Sequence, residues 1–141
     1  MKKAFVLLAV LGLTILVLTA CGAPASSGGT QRPAPPAEYA SKTNPLAGNA
    51  DAIAKGKDQY TTLCQACHGA AGKGDGPAGA SLAPKPANLQ NTAKEASDAY
   101  IYWRIAEGGA MEPFKSSMPA HKATLKEEQI WQIDSYVKTL K

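Results

Sequence analysis

The 141-residue chain has few of the residues that crosslink, stack or ionise: three cysteines, two histidines, two tryptophans and two phenylalanines, with 18% charged residues. Three cysteines do not supply the disulfide framework of a small secreted domain. The lysines are scattered without interleaved aromatic residues, which counts against a nucleic-acid-binding stripe. No segment alternates apolar and polar residues as a strand does. The sequence therefore predicts an all-α protein that has no nucleic-acid partner.

Two of the three cysteines and one of the two histidines lie in one pentapeptide, Cys64-Gln65-Ala66-Cys67-His68. A C-x-x-C-H sequence in an exported protein is the attachment signature of a c-type haem. The two thiols can each add to a vinyl group of the porphyrin, and the adjacent imidazole can then bind the iron. We expect Cys64 and Cys67 to hold one covalent haem c, with His68 as an axial iron ligand.

Two other chemistries could use the same residues. A redox-active disulfide between Cys64 and Cys67 would need a βαβ surround, whereas the flanking sequence is helical and rich in glycine and proline. A zinc site built from Cys64, Cys67, His68 and His121 has enough ligands, but it lacks the second ligand pair that structural zinc sites usually show. Neither alternative would give a coloured protein.

The N-terminus carries an export signal. Two lysines precede an apolar run over residues 4–18, and the small residue Ala20 stands before Cys21. This pattern resembles a bacterial lipoprotein signal, which implies that residues 1–20 are a signal peptide and that Cys21 is lipidated. An uncleaved membrane helix is the alternative. Either arrangement predicts a protein tethered to the cell membrane and facing the periplasm or the cell exterior.

The composition then changes twice along the chain. Residues 22–48 are mostly Ala, Pro, Gly, Ser and Thr with almost no aliphatic side chains, which predicts a flexible linker over residues 21–48. Residues 49–141 are left as one small folded domain. A domain of this size needs additional stabilisation, which a covalently bound haem would supply.

Three helices are predicted in this domain. Asn49 is placed to cap the first, over residues 50–63. The second runs from Asp98 to Glu107 and is stopped by the two glycines that follow. The third starts at a T-x-x-E capping box formed by Thr124 and Glu127. Its apolar residues recur at helical spacing: Ile130, Ile133, Val137 and Leu140.

With these features, the domain resembles the class I monohaem cytochromes c. Gly56 and Tyr60 stand eight and four residues before Cys64, as do a glycine and an aromatic residue on the first helix of that family. Ile133 and Tyr136 match their partners on the family's last helix. The resemblance implies the class I cytochrome c fold, with about three main helices packed around one covalent haem.

Family members also carry a methionine, often followed by proline, on a late loop. Met118-Pro119 occupies that position in a polar loop just before the last helix. We therefore expect Met118 to be the second axial ligand, with Met111 and His121 as the alternatives. Histidine and methionine together raise the reduction potential, and a six-coordinate iron has no open site for oxygen or peroxide chemistry.

The histidine of such a centre is usually oriented by a hydrogen bond from its second ring nitrogen. In the family a proline carbonyl after the motif accepts this bond. Pro84 and Pro86 are the candidates here, and Pro77 is a more distant one.

The predicted function is that of a membrane-tethered single-electron carrier, cycling between Fe(II) and Fe(III), and not of an enzyme. The resemblance implies redox protein partners in a respiratory or photosynthetic chain: a quinol-oxidising complex, a terminal oxidase or a reaction centre. The short lipoprotein form is similar to the monohaem cytochrome subunit of alternative complex III, a quinol-oxidising assembly. A haem-based sensor or small-ligand-binding module is the alternative function.

Overall fold

The computed structural model describes residues 32–141, which form one compact unit. The predicted signal peptide, the predicted lipidation site Cys21 and the first part of the predicted linker lie outside these residues. The described part contains helices and no strand, as predicted. Six α-helices and one 3₁₀ turn follow one another: α1 (Ala37–Ala40), α2 (Ala50–Leu63), α3 (Gln65–His68), the 3₁₀ turn (Pro77–Gly79), α4 (Leu89–Glu95), α5 (Asp98–Glu107) and α6 (Glu127–Val137).

Helices α2 and α5 have the predicted limits because the side chains at their ends act as expected. The side chain of Asn49 accepts a hydrogen bond from the backbone N–H of Ala52 at 2.9 Å. Gly108 ends α5 with φ at 70°, a conformation that glycine adopts without strain. These caps confirm the first two predicted helices.

Helix α6 begins at Glu127, two residues later than a capping box with Thr124 as the N-cap predicts. The hydroxyl of Thr124 instead donates to the carbonyl of His121 at 3.2 Å, in a turn that precedes the helix. The side-chain oxygen of Gln129 accepts from the backbone N–H of Lys126 at 2.9 Å and satisfies the first turn. The predicted box was wrong because the hydroxyl of Thr124 is used in this preceding turn and does not cap the helix.

Helix α4 was not predicted. It has seven residues and no clear apolar face, so helical periodicity gave no signal. The side chain of Asn88 accepts from the backbone N–H groups of Gln90 and Asn91, at 2.9 and 3.3 Å. An asparagine in this position was the available sign of a helix start.

Helices α2 and α6 cross in close contact at Gly56. A Cβ atom at this position would lie 1.9 Å from the carbonyl oxygen of Gln132. Tyr60 and Ile133 are each 1% exposed beside the crossing. The rings of Tyr60 and Tyr136 have centroids 5.1 Å apart. The four residues matched to the family's helix crossing therefore do meet in this structure.

Residues 32–48 differ from the predicted linker. They form a segment, called the strap below, that packs against α5 and α6. The buried side-chain amide of Asn44 lies 3.1 Å from the carbonyl of Trp131, and Lys42 is 2.8 Å from Glu127. Tyr39 donates a hydrogen bond to Glu107 and packs against Tyr102. Residues 32–48 thus belong to the folded unit, which does not begin at Asn49, because aromatic and amide side chains hold a segment that is poor in aliphatic residues.

Candidate functional site

The C-x-x-C-H motif occupies one helical turn at the end of α2. The N–H of Cys64 donates to Tyr60 at 2.8 Å, and the N–H groups of Cys67 and His68 both donate to the carbonyl of Cys64, at 3.1 and 2.9 Å. Residues three apart on a helical turn share a face. The two cysteines, which are partly buried, are not joined by a disulfide. Two thiols are therefore presented side by side, with the imidazole directly after them.

Burial raises the pKa of the Cys64 thiol to about 11, and the neighbouring Cys67 adds to this effect. Dithiol redox sites work in the opposite direction, because they lower the pKa of one cysteine to expose a reactive thiolate. The environment of Cys64 therefore does not favour the thioredoxin-like alternative. It suits a sulfur that is permanently bonded within an apolar surround.

His68 is oriented by the backbone. Its Nδ1 lies 3.0 Å from the carbonyl oxygen of Ala87. Because a carbonyl can only accept, Nδ1 carries the hydrogen and the lone pair of Nε2 is left to bind a metal. Burial lowers the pKa of His68, with the bond to Ala87 opposing this in part, so the neutral form that ligates is favoured.

The acceptor for His68 corrects the sequence prediction. Neither Pro84 nor Pro86 supplies the carbonyl; Ala87, the residue after Pro86, does. The loop that follows the motif fixes this register. A Cβ atom on Gly74 would lie 2.4 Å from the carbonyl oxygen of Pro86, so this carbonyl faces Gly74 instead of the imidazole.

The glycines of residues 69–79 let the loop lie directly on the motif. Gly74 and Gly76 donate their N–H groups to the carbonyls of His68 and Cys67, at 2.8 and 3.1 Å. A Cβ atom on Gly76 would lie 2.4 Å from the carbonyl oxygen of Ala66. Loop and motif are therefore joined through the backbone, which leaves no room for a side chain at this contact.

Met118 lies on a loop that is paired with the end of α5. The N–H of Gly109 donates to the carbonyl of Met118 at 2.8 Å, and the N–H of Ser116 donates to the carbonyl of Gly109 at 2.7 Å. The N–H of His121 reaches the carbonyls of Ile105 and Ala106, both at 3.1 Å. Met118 is partly buried and packs against the hydrophobic core.

The two alternative iron ligands, Met111 and His121, have different surroundings from those of Met118. The sulfur of Met111 lies 3.7 Å from a guanidinium nitrogen of Arg104, which can donate a hydrogen bond to it. Arg104 itself stacks on Phe114, with 3.3 Å between the guanidinium carbon and the ring centroid. His121 is partly buried, and burial lowers its pKa.

The zinc alternative requires several ligands to converge on one point. Within residues 32–141, no three His, Cys, Asp or Glu side chains are grouped so as to hold a metal ion.

No helix of this part of the chain is long and apolar enough to cross a bilayer.

The residues of the site fit a covalently attached haem. Two unpaired thiols stand one helical turn apart, the following imidazole has a free Nε2, and glycines keep side chains off the motif. The cytochrome c family profile matches residues 53–141, well over half of the chain. The chain belongs to the cytochrome c family. It therefore carries covalently bound haem c and acts in haem-based electron transfer.

Solved structures agree with this assignment. A chain of the reducing HAO-like protein complex of Kuenenia stuttgartiensis is 27% identical, with a TM-score of 0.56 over 68% of the present chain and 46% of its own length. The present chain thus spans less than half of that relative. Cytochrome cL from Methylophaga aminisulfidivorans, 22% identical, shares the fold with a TM-score of 0.54 over 79% of this chain and 70% of its own. No significant match was found among curated proteins.

Sequence reasoning missed two backbone groups of the site. The carbonyl of Ala87 gives no signal, because every residue type has one. The N–H of Gly109, which pairs with Met118, belongs to a Gly-Gly pair that was noted only as a helix stop. Side-chain chemistry is visible in a sequence, whereas the register of a loop is not.

Proposed function

We propose that this protein is a membrane-tethered one-electron carrier in which His68 and Met118 are the axial ligands of the haem iron. The haem supplies the Fe(II)/Fe(III) couple. The chain's own part is to present two neutral ligands and to keep them in place through both oxidation states. Neutral His/Met ligation raises the reduction potential, which suits a carrier late in a transport chain.

The pairing of Gly109 with Met118 is the observation that carries the proposal. It fixes the backbone of Met118 beside the end of α5, and the side chain packs, partly buried, against the hydrophobic core. Met111 is the rival methionine, but the Arg104 guanidinium already engages its sulfur. His68 is likewise oriented in advance by Ala87.

The test is a set of absorption spectra, oxidised and dithionite-reduced, of protein matured with the cytochrome c assembly machinery. Met118→Leu should abolish the weak long-wavelength ferric band that reports methionine ligation, and it should lower the reduction potential. The matched controls Met111→Leu and His121→Gln should retain both. Loss of the band in Met111→Leu, with retention in Met118→Leu, would overturn the ligand assignment.

The same preparation tests the sensor alternative. A six-coordinate iron with a firmly held Met118 leaves no vacant position, so the reduced wild-type protein should not bind carbon monoxide readily, whereas Met118→Leu should. Prompt carbon monoxide binding by the wild type would instead favour a ligand-binding module.

The membrane tether is part of the proposal and is supported by the sequence pattern around Cys21. We propose that residues 1–20 are removed, that Cys21 is lipidated, and that the haem domain faces the periplasm or the cell exterior. Metabolic labelling with a radioactive fatty acid should label the wild type and not Cys21→Ser. The variant should keep residues 1–20, which mass spectrometry would detect, and it should retain its haem, since Cys64 and Cys67 are untouched.

Redox proteins are the proposed partners: a quinol-oxidising complex such as alternative complex III, a terminal oxidase or a reaction centre. The likeness to a chain of a redox complex supports an assembled role. Solubilised native membranes should yield the haem protein in a large complex on a native gel if it is a fixed subunit. Migration alone at the size of the monomer would favour a free carrier.

A further inference from the structure

One titratable group lies buried between the strap and α6, away from the haem ligands in sequence. Asp134 is fully buried, with 0% of its surface exposed. Its Oδ2 accepts a hydrogen bond from the side-chain amide of Asn44 at 2.8 Å. Its Oδ1 is also buried and has no hydrogen-bond partner among the described residues. Only one of the two carboxyl oxygens of Asp134 therefore has a hydrogen-bond partner in this part of the chain.

The neighbours of Asp134 do not compensate an ionised carboxylate. The strap offers only the uncharged amide of Asn44, and α5 presents a second acid, Asp98, whose Oδ2 lies 3.3 Å from the backbone N of Asn44. Lys138, just after α6, is 3.3 Å from Asp98 and donates to the carbonyl of Ala96 at 2.6 Å. The nearby cation is therefore already engaged.

Burial raises the pKa of Asp134 to about 7; Asp98 adds to the rise, while the bond from Asn44 and the charge of Lys138 oppose it in part. The direction follows from the geometry, because a buried charge with one unpaired oxygen is costly and a neutral carboxylic acid is less so.

We propose that the strap is a pH-controlled latch, which stays docked on α6 while Asp134 carries a proton and is released when Asp134 ionises. Undocking exposes Asp134 to water, where its charge is readily accommodated. The strap is the element that can move, because Asn44 reaches Asp134 from a segment attached mainly by side-chain contacts.

The direction in which pH changes the opening of the strap follows from proton linkage. In the undocked state the pKa of Asp134 returns toward its ordinary value of 3.8, well below the docked value of about 7. Between these values undocking releases one proton, so the opening equilibrium increases by up to about tenfold per pH unit. Above about pH 7 both states are ionised and the dependence levels off.

Four other carboxylates contact the strap, namely Glu95 through Arg32, Asp98 through Asn44, Glu107 through Tyr39 and Glu127 through Lys42, and the last two titrate in a different pH range. Hydrogen bonds from Lys122 and Tyr39 lower the pKa of Glu107, and the hydrogen bond from Lys42 lowers the pKa of Glu127. Both groups are therefore ionised throughout the range from pH 5 to 7. Their protonation would loosen the strap only at more acidic pH, whereas burial raises the pKa of Asp134 into this window.

Amide hydrogen exchange of the full-length haem protein in detergent tests the latch. The reporters are the N–H groups of Lys42 and Leu46, which bond to the carbonyl of Tyr39 and the side chain of Asn44. Asp134→Asn keeps an acceptor for Asn44 but cannot ionise, so it is the matched control at each pH. Protection in the wild type, divided by that in the control, should fall at least about tenfold from pH 5 to pH 7. Amides of α2 around Tyr60 should show no such change.

Equal protection ratios at both pH values would overturn the latch. Asn44→Ala provides an independent check: its Lys42 amide should be poorly protected at both pH values, and wild-type protection with the wild-type slope would contradict the proposal. Neither readout depends on Met118 ligation or on the lipid. Both variants should keep the absorption spectrum of the wild type, so a failure of the latch and a failure of the proposed function are separable.

Discussion

Two regions of this domain differ in the kind of contact that stabilises each of them. The motif and its loop, residues 64–88, are joined by backbone hydrogen bonds at glycines, such as Gly74 to His68. Helices α5 and α6 are joined by buried side chains, with the rings of Tyr102 and Trp131 only 4.3 Å apart. Among the described residues, none of the buried hydrophobic side chains lies between residues 61 and 95.

This difference shows what the cofactor does for the fold. Helices α5 and α6, with α2, bury a core of their own. The motif region has almost no core, so a covalently bound haem is the apolar group against which it can pack. The cofactor is therefore a structural part of one region and much less so of the other.

Removal of the thioether cysteines should have the largest effect on the difference between the two regions. The double variant Cys64→Ala/Cys67→Ala should lose all covalent haem, as read by haem staining of a denaturing gel. Hydrogen exchange should then show residues 64–88 unprotected, while α5 and α6 retain part of their protection. Cys21→Ser, which removes the third cysteine, should keep the haem. An equal loss of protection in both regions would show that they fold as one unit.

Gly56→Ala tests the helix crossing that supports the second region. The added Cβ would lie 1.9 Å from the carbonyl oxygen of Gln132, so the helices must separate. Overpacking of this kind costs about 3 kcal/mol. Guanidinium unfolding monitored by circular dichroism measures the loss. Lys57→Ala, at an exposed position of the same helix, should change stability by less than about 0.5 kcal/mol; a similar value for Gly56→Ala would contradict the close crossing.

Tyr60→Phe tests the connection between the two regions. The hydroxyl of Tyr60 is buried and donates to the carbonyl of Gly69, the first residue of the motif loop, at 2.7 Å. Its loss should cost about 1 kcal/mol and should loosen the loop more than α5 or α6. Tyr136→Phe, which keeps the ring contact, is the matched control. Equal effects of the two variants on exchange in residues 69–79 would argue against this connection.

Lys42→Ala should have the smallest effect. The pair of Lys42 and Glu127 lies at the surface, with 31% and 59% of the side chains accessible. Such pairs contribute about 0.5 kcal/mol, and salt screens them. Thermal unfolding at low and high salt should show a small difference from the wild type that disappears in high salt. A salt-insensitive loss would mean that Lys42 acts mainly through its contact with the ring of Tyr102.

The sequence allowed much of the fold to be predicted wherever a side chain itself makes the decisive contact. Asn49 caps α2 and Gly108 ends α5, and both were predicted because the residue type performs the role. The motif indicated the haem for the same reason. The start of α6 was wrong because Thr124 has a competing local hydrogen bond.

The remaining differences arise where contacts over long separations decide. The strap was predicted to be a linker because its aliphatic content is low, yet Asn44 bonds to residues about ninety positions later in the chain. The acceptor for His68 was assigned to a proline, and the bond goes to Ala87. Composition and local pattern contain no information on such distant partners.

With the lipid tether proposed above, docking of the strap would also set how far the domain can travel. The strap has 17 residues, from Arg32 to Gly48. Fully extended, they would span at most about 60 Å, and as a flexible chain their root-mean-square reach would be roughly 20–25 Å. With the lipid at Cys21, as proposed, release would add this length to the tether. The volume searched by the domain grows with the cube of its reach, so the latch would change the effective concentration at which the domain meets a partner in the same membrane.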